Sequence, residues 1–399
     1  MSKKHKLIPK LRFPEFKNEG EWEIKTIGGI AISESSSMAL NKLDLKPTGY
    51  PVYGADSIVG YIDEFQHEEK YISIVKDGSG VGRLNLCQSN SSILGTLTSL
   101  KSKNKKQYDL DWLYYLLNTV DFSVYVKGAG IPHIYYSDFK NENVPVPTSK
   151  EQQKIASCLS SLDDLIEAHS QKLDLLKDHK KGLMQNLFPQ DGEKVPKYRF
   201  PEFKKDGVWA EKTLDEVSTI LKGKGISKAD IVEDGELPCI RYGELYTHYN
   251  ETISTVKSYT NSNPEDLVLS KANDVIIPAS GETQIDIAKA SCVLESGVAL
   301  GGDLNIIRSK INGVFLSYYL NNAKKNDIAQ MAQGIAVVHL YPNQLKTLQL
   351  QTPNPKEQQK IASCLSTLEA IITLLTEKIE QLKQHKKGLM QGLFPKTND

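Results

Sequence analysis

The chain has 399 residues, enough for two or three domains at roughly 100 to 200 residues each. Hydrophobic residues make up 39% and charged residues 25%, a globular balance that excludes a disordered tail or a fibre; no stretch approaches the roughly eighteen apolar residues of a membrane span. Lysine plus arginine (49) cancels aspartate plus glutamate (49), and a formal charge of zero argues against nucleic acid as a partner of the free chain.

In chain order, the start MSKKHKLIPKLRF is basic but lacks the apolar core of a secretory leader. The five cysteines (Cys87, Cys158, Cys239, Cys292, Cys364) form no C-x-x-C pair, against a disulfide framework or a zinc cage. A cytoplasmic protein with reduced thiols and no metal is expected. The frame PKLRFPEFK (Pro9 to Lys17) precedes a first variable module, in which YPVYGAD and KYISIVKD read as strands. DGSGVGR (Asp77 to Arg83) then offers either a glycine-rich turn between strands or a loop letting the backbone approach a phosphate; it lacks the full G-x-x-x-x-G-K-[ST] fingerprint. Lys101, Lys103, Lys105 and Lys106 form a basic run, read as a solvated loop or a DNA contact. A short helix is expected around Trp112 to Asn118, followed by GAGIPHIY with His133.

From Lys150, a seam at alternating spacings of four and three runs Ile155, Leu159, Leu162, Ile166, His169, Leu173, Leu176, Lys180, Leu183 and Leu187. A 3.5-residue period held over more than four heptads predicts a supercoiled helix, ended at Leu-Phe-Pro by the proline ring. The seam is interrupted at Lys180, either a register-setting polar residue or a snorkelling lysine.

The frame then returns as PKYRFPEFK at Pro196, offset by 187, and a second variable module follows. KGKGISK carries Lys222, Lys224, Ser227 and Lys228, suited to phosphate contact or to a solvated loop. In CIRYGELYTHY, Arg241 could pair with guanine, Glu244 could accept from cytosine, and Tyr242 could contact a base or belong to the core. DVIIPAS and GDLNIIR read as strands, a helix is expected around Val314 to Asn321, and His339 in GIAVVHLY faces His133 at an offset of 206. No second histidine, cysteine or carboxylate recurs with metal spacing, so both histidines are read as structural. A second helix block closes the chain, matching the first at 13 of 17 positions from Lys356. Its seam is Ile361, Leu365, Leu368, Ile372, Leu375, Ile379, Leu382 and Leu389, interrupted at Lys386.

The order is thus domain 1–149, helix 150–190, domain 191–355, helix 356–399. Helices of about 38 residues are roughly 55 Å long, too far for one module to bridge, so the pair should be antiparallel with the chain's two ends close together. The predicted fold class is α+β: two recognition modules of strands and short helices, separated by an antiparallel coiled coil with pseudo-two-fold, cyclic organisation.

The paired KEQQKIASCL and HKKGLMQ(N/G)LFP blocks, the RFPEF frames and YPVYGAD…GYID together resemble the DNA-specificity subunit of Type I restriction-modification systems, over essentially the whole chain. The resemblance implies two target recognition domains, Ala31 to Val146 and Ser218 to Thr352, each reading one half of a split, asymmetric site in double-stranded DNA. It implies two methyltransferase subunits using S-adenosylmethionine and two restriction subunits driven by ATP with Mg, and no cofactor, metal or membrane for this chain. It carries contact roles to Lys76, Ser79, Arg83, Ser280, Glu282 and Thr283, in DGSGVGR and SGETQIDIAK. Where relatives have a Gly-Gly-Thr-Pro type loop, this chain has Ser33-Glu34-Ser35-Ser36-Ser37 and Gly223-Lys224-Gly225-Ile226-Ser227. No amino-methylation motif, Walker loop or shared nucleophile, base and orienter set occurs, so no residue is expected to be catalytic. Two other readings compete: an assembly scaffold, which leaves the divergent interiors unexplained, and a self-contained modification enzyme, which lacks its motif.

Overall fold

The computed structural model describes residues 7–190, 192–335 and 337–395. The chain divides into two compact units, residues 1–170 with 377–399 and residues 171–376. Each therefore holds one variable module and a segment of each long helix, Ser149–Leu187 and Pro355–Leu393.

In the first unit, Ala31–Ser35, Leu97–Ser102, Tyr71–Val75 and Leu84–Cys87 form an antiparallel sheet in that order. A second sheet orders Ile58–Ile62, Tyr50–Tyr53 and Ser92–Ile93. The helix Leu110–Leu117 is capped by Asp109, which accepts from the Trp112 backbone N–H at 2.9 Å. Its Trp112, Leu113 and Leu116 pack on Ile72, Ile74 and Leu100. In the second unit a five-stranded sheet runs Ser218–Lys222, Leu304–Ser309, Asp274–Pro278, Ser291–Val293, Thr252–Ile253, with a four-stranded sheet built around Ser258–Thr260 and Leu237–Ile240. The helix Gly313–Asn321 repeats the cap, Asn312 accepting from the Phe315 N–H at 2.9 Å.

Long-helix pairing within each unit is antiparallel. In the first, Lys386, near the end of the second helix, meets Asp163 in the opening half of the first helix; in the second, Lys180, near the end of the first helix, meets Glu369 in the opening half of the second. Along the seam, Ile155, Leu159, Leu173, Ile361, Leu365, Leu368, Ile372, Ile379 and Leu382 are buried. Leu162, Ile166, Leu176, Leu183, Leu375 and Leu389 are partly buried, whereas the off-seam Leu165, Leu175, Ile371 and Leu374 are exposed. A 3.5-residue stripe puts its apolar side chains on one line, and that line is what a second helix can cover.

The Leu-Phe-Pro stops do more than end helices. Leu187 and Phe188 enter the second unit's core, where Phe188 stacks on Tyr319 at 5.5 Å; Leu393 and Phe394 enter the first, where Phe394 meets Trp22 edge-on at 6.2 Å. Each such side chain contributes about 1.5 to 3 kcal/mol by burial. The cyclic relation appears in two matched hydrogen bonds: Leu11 N–H donates to Gly392 O at 2.8 Å, and Tyr198 N–H to Asn186 O at 2.9 Å.

The repeated frames clamp the start of each long helix. Arg12 donates twice to Glu151, both at 2.8 Å, and Arg199 twice to Glu357, at 2.8 and 2.7 Å. Both carboxylates are 1% exposed, and the hydrogen-bonded carboxylate holds each guanidinium pKa above its ordinary value. Lys154 lies over the Phe13 ring and Lys360 over the Phe200 ring, each at 5.5 Å. Among the described residues no helix is long and apolar enough to cross a membrane.

Candidate nucleic-acid interface

In the first unit the buried strand Tyr71–Val75 runs into Lys76 to Arg83, which turns back on itself: Gly82 N–H donates to Val75 O and Val75 N–H to Arg83 O, both at 2.9 Å. Gly78 and Gly82 have φ of +99° and +85°, so the turn between strands needs its glycines. A second hairpin docks beside it. Lys127 and His133 exchange backbone hydrogen bonds at 2.9 and 2.8 Å; Pro132 O accepts from Gly78 N–H at 2.9 Å, and Lys76 O from Ile134 N–H at 2.8 Å. At the tip, Gly128 has φ +90°, and a Cβ there would lie 2.5 Å from Ile131 O.

The second unit repeats this with other side chains. Ser280–Gly281 pairs antiparallel with Val338–His339, and His339 exchanges backbone hydrogen bonds with Gln333 at 2.7 and 2.9 Å. The tip glycine is Gly334, φ +134°, where a Cβ would lie 2.0 Å from Val337 O. In both units the tip and its flank present apolar and aromatic surface: Ile131 and Tyr135 in the first, Ile335, Val337 and Tyr341 in the second. His133 and His339 each lie against the tyrosine two residues on, with ring centroids 5.3 and 6.1 Å apart. Among the described residues no group of histidine, cysteine and carboxylate side chains could hold a metal ion.

The expected contact residues fall into two sets. Ser79 and Arg83 are exposed, Arg83 in an ion pair with Asp56, and Lys76 is partly buried under the hairpin. Lys222, Lys224 and Lys228 are exposed around a loop that packs on Leu300 to Gly302, Lys224 N–H donating to Leu300 O at 3.0 Å. Tyr242, Ser280 and Glu282 come together on one concavity of about 780 Å³, which Tyr246, Lys289, Lys325 and Val337 also line. Burial lowers the Lys289 pKa there.

Other side chains are engaged within the fold. Glu244, expected to face a base, is 3% exposed; it accepts from the Arg241 backbone N–H at 2.7 Å and from the Ser258 hydroxyl, closing the first turn of Tyr242–Thr247. A carboxylate three residues into a helix is well placed to satisfy the free N–H groups there, and that role takes it inward. Arg241 is only partly exposed, its Nε buried without a hydrogen-bond partner. Ser280 is buried in its short strand. Ser227 and Thr283 are exposed but cap turns, their hydroxyls donating to Asp230 at 2.7 Å and Asp286 at 2.5 Å. Of the basic run, Lys101 pairs with Glu34 and Lys105 with Glu69, while Lys103 donates to Gly28 O at 3.1 Å.

Sequence reasoning read His133 and His339 as structural and missed that their hairpins lie against the glycine loops. The signal was available: GAGIPHIY and GIAVVHLY recur in register while their interiors differ. It also missed Asp56 as the partner of Arg83, although Asp56 lies in the YPVYGAD string.

The duplication is also what comparison with known proteins finds. The model of the Type I restriction modification DNA specificity domain matches twice, over residues 19–178 and 207–384. The chain is 26% identical to the Type I restriction enzyme MjaVIII specificity subunit of Methanocaldococcus jannaschii, covering 96% of this chain and 93% of that one. It is 23% identical to the putative type I restriction enzyme specificity subunit S.HindORF215P of Haemophilus influenzae, over 90% of each. The crystal structure of the S subunit of a Type I restriction-modification system from M. genitalium shares the fold with a TM-score of 0.69 at 18% identity, over 98% of this chain and all of that one. With the family model matching twice and over most of the length, this chain belongs to the Type I restriction-modification DNA specificity family.

Proposed function

We propose that this chain is the reader of a Type I restriction-modification complex, each unit contacting one half of a bipartite, asymmetric site in double-stranded DNA. One observation carries this reading: in both units a glycine loop is hydrogen-bonded to a hairpin tip of exposed apolar and aromatic side chains, on one backbone plan with different side chains. Shared geometry positions; unlike side chains specify. In the first unit the contact set is Ser79, Arg83 and the 128 to 131 tip, with Arg83 exchanging Asp56 for a phosphate or a guanine edge. In the second it is Lys222, Lys224, Lys228, Tyr242, Glu282, Ile335 and Val337. Lys76, Thr283, Ser227, Arg241, Glu244 and Ser280 shape these loops from behind.

The chain itself performs no chemistry in this proposal. Two methyltransferase subunits use S-adenosylmethionine to methylate adenine in each half-site, and two restriction subunits use ATP and Mg, in the cytoplasm. The charge balance fits obligate assembly. Residues 31–149 carry eleven basic against thirteen acidic residues, so the lone chain gains little from counterion release, and basic partners closing on the duplex supply the affinity. Exchanging residues 31–146 for those of a relative, followed by methylome sequencing of the host, should change one half-site only. A change in both would overturn the reading, as would target binding by the isolated chain as tight as by the complex at equal salt.

A further inference from the structure

The lysines that interrupt the two apolar seams each sit at a joint of three elements. In the first unit Lys386 Nζ lies 2.5 Å from Asp163 on the other long helix and 5.3 Å from the ring centroid of Tyr115, on the module helix; the Tyr115 hydroxyl donates to the same Asp163 at 2.7 Å. In the second unit Lys180 Nζ lies 2.7 Å from Glu369 on the other long helix and 5.4 Å from the ring centroid of Tyr318, again on the module helix. Positions 163 and 369, 180 and 386 are equivalent at the offset of 206, and 115 and 318 at 203, so lysine, carboxylate and tyrosine recur at matched places, although the buried Tyr318 hydroxyl makes no bond like that of Tyr115.

The second joint has an extra limb. Lys180 also meets Glu251 at 3.1 Å, and Asn250 donates to Glu369 at 3.0 Å. Asn250 and Glu251 are themselves tied to the strand following the recognition segment: Ser291 Oγ donates to Asn250 O at 2.6 Å, and Cys292 N–H to Glu251 O at 2.9 Å. A path of direct contacts therefore runs from the neighbourhood of the concavity to both long helices.

We infer that Lys180 and Lys386 are positioning residues that lock helix register and seat each module on its helix pair, and so determine which separation of half-sites the protein accepts. The inference rests on the proposed reading of the units as half-site readers. A leucine seam alone repacks after a slip of one heptad, about 10.5 Å along the axis. A largely buried ammonium does not, because the slip removes its carboxylate while leaving the charge out of water. Lys180, Glu251 and Glu369 are 16%, 18% and 16% exposed, and Lys386 is 21% exposed, against 37% for Asp163. The more enclosed second joint should therefore matter more.

The test uses the full chain assembled with its methyltransferase partner, on duplexes carrying both half-sites at the native separation and at one base pair more or less. Wild type should methylate the native duplex far faster. Lys180→Met should lower that preference at least tenfold, Lys386→Met less, and Lys180→Arg should keep it to within threefold, with base preference inside each half-site unchanged throughout. Should Lys180→Met fail to assemble, Lys386→Met/Asp163→Leu, an apolar exchange that retains packing, gives the reading. Unchanged separation preference in the assembled methionine variants, with only thermal stability lowered, overturns the inference. A wild-type complex with no bipartite methylation pattern instead overturns the proposed function itself.

Discussion

Matched hydrogen bonds in the frames of the two units agree in length to 0.1 Å, whereas the sheets those frames enclose differ. Gln152 donates to Pro147 O at 2.9 Å and Gln358 to Pro353 O at 2.9 Å; Asp109 N–H reaches Gln152 at 2.9 Å and Asn312 N–H reaches Gln358 at 3.0 Å. Yet one interior is built on sheets of four and three strands and the other on sheets of five and four. The frame satisfies its own polar groups through Arg12 with Glu151 and Arg199 with Glu357, asking nothing of the interior beyond an apolar face on the long helices. A fold divided in this way can exchange its reading surface without losing its support.

The strongest test of that equivalence is to break the frame on each side in turn. Glu151→Ala and Glu357→Ala should each destabilise their unit by about 3 to 5 kcal/mol, because each leaves a desolvated guanidinium without its carboxylate. Losses in urea denaturation that differed by more than about 1 kcal/mol would show that the two clamps are not equivalent.

A smaller effect should separate the interiors. At Gly313 a Cβ would lie 2.4 Å from Asn273 O and 2.8 Å from Cys292 Sγ, so Gly313→Ala should cost about 1 to 3 kcal/mol by overpacking. The matching position in the first unit is Leu110, which already carries a large side chain. If Gly313→Ala left the thermal midpoint unmoved, that contrast between interiors would fall.

Arg83→Ala should weaken binding of the assembled complex by about 1 to 3 kcal/mol if Arg83 reads a base, relaxing specificity at one position of one half-site; a phosphate contact would instead reduce the salt slope by about one. Affinity measured against salt on single-base variants distinguishes the two. Relaxation in the half-site that a module exchange assigns to the second unit would contradict the assignment of Arg83.

The smallest predicted difference is in acid stability. His67 is buried against Tyr71 in the first unit; burial and then Lys101 lower its pKa, and Glu34, 3.6 Å away, only partly offsets them. His248 and His339 of the second unit are exposed. Because the folded pKa lies below the unfolded value of about 6.5, the unfolded chain binds the extra proton first, so stability falls as pH drops below about 6.5 and levels off below the folded pKa. His67→Gln should flatten the stability profile of the first unit as pH falls below about 6.5; an unchanged slope would show that His67 is not its source.

The long helices, their stops, the duplicated frames, the strands at YPVYGAD, KYISIVKD, DVIIPAS and GDLNIIR, and even the meeting of the first frame with the last turn of the second long helix could be read from the sequence alone. They rest on period, repeat and local stereochemistry, which are written along the chain. Tertiary structure alone decided the fate of polar side chains: that Glu244 turns inward while Tyr242 stays exposed, that Lys101 and Lys105 are spoken for by Glu34 and Glu69, that the His133 hairpin docks on the glycine loop, and that Lys386 finds Asp163, 223 positions away. The physical reason is range. An apolar stripe declares its face within two turns, whereas a charged side chain is settled by whichever partner folding brings within about 3 Å, and no local pattern names that partner.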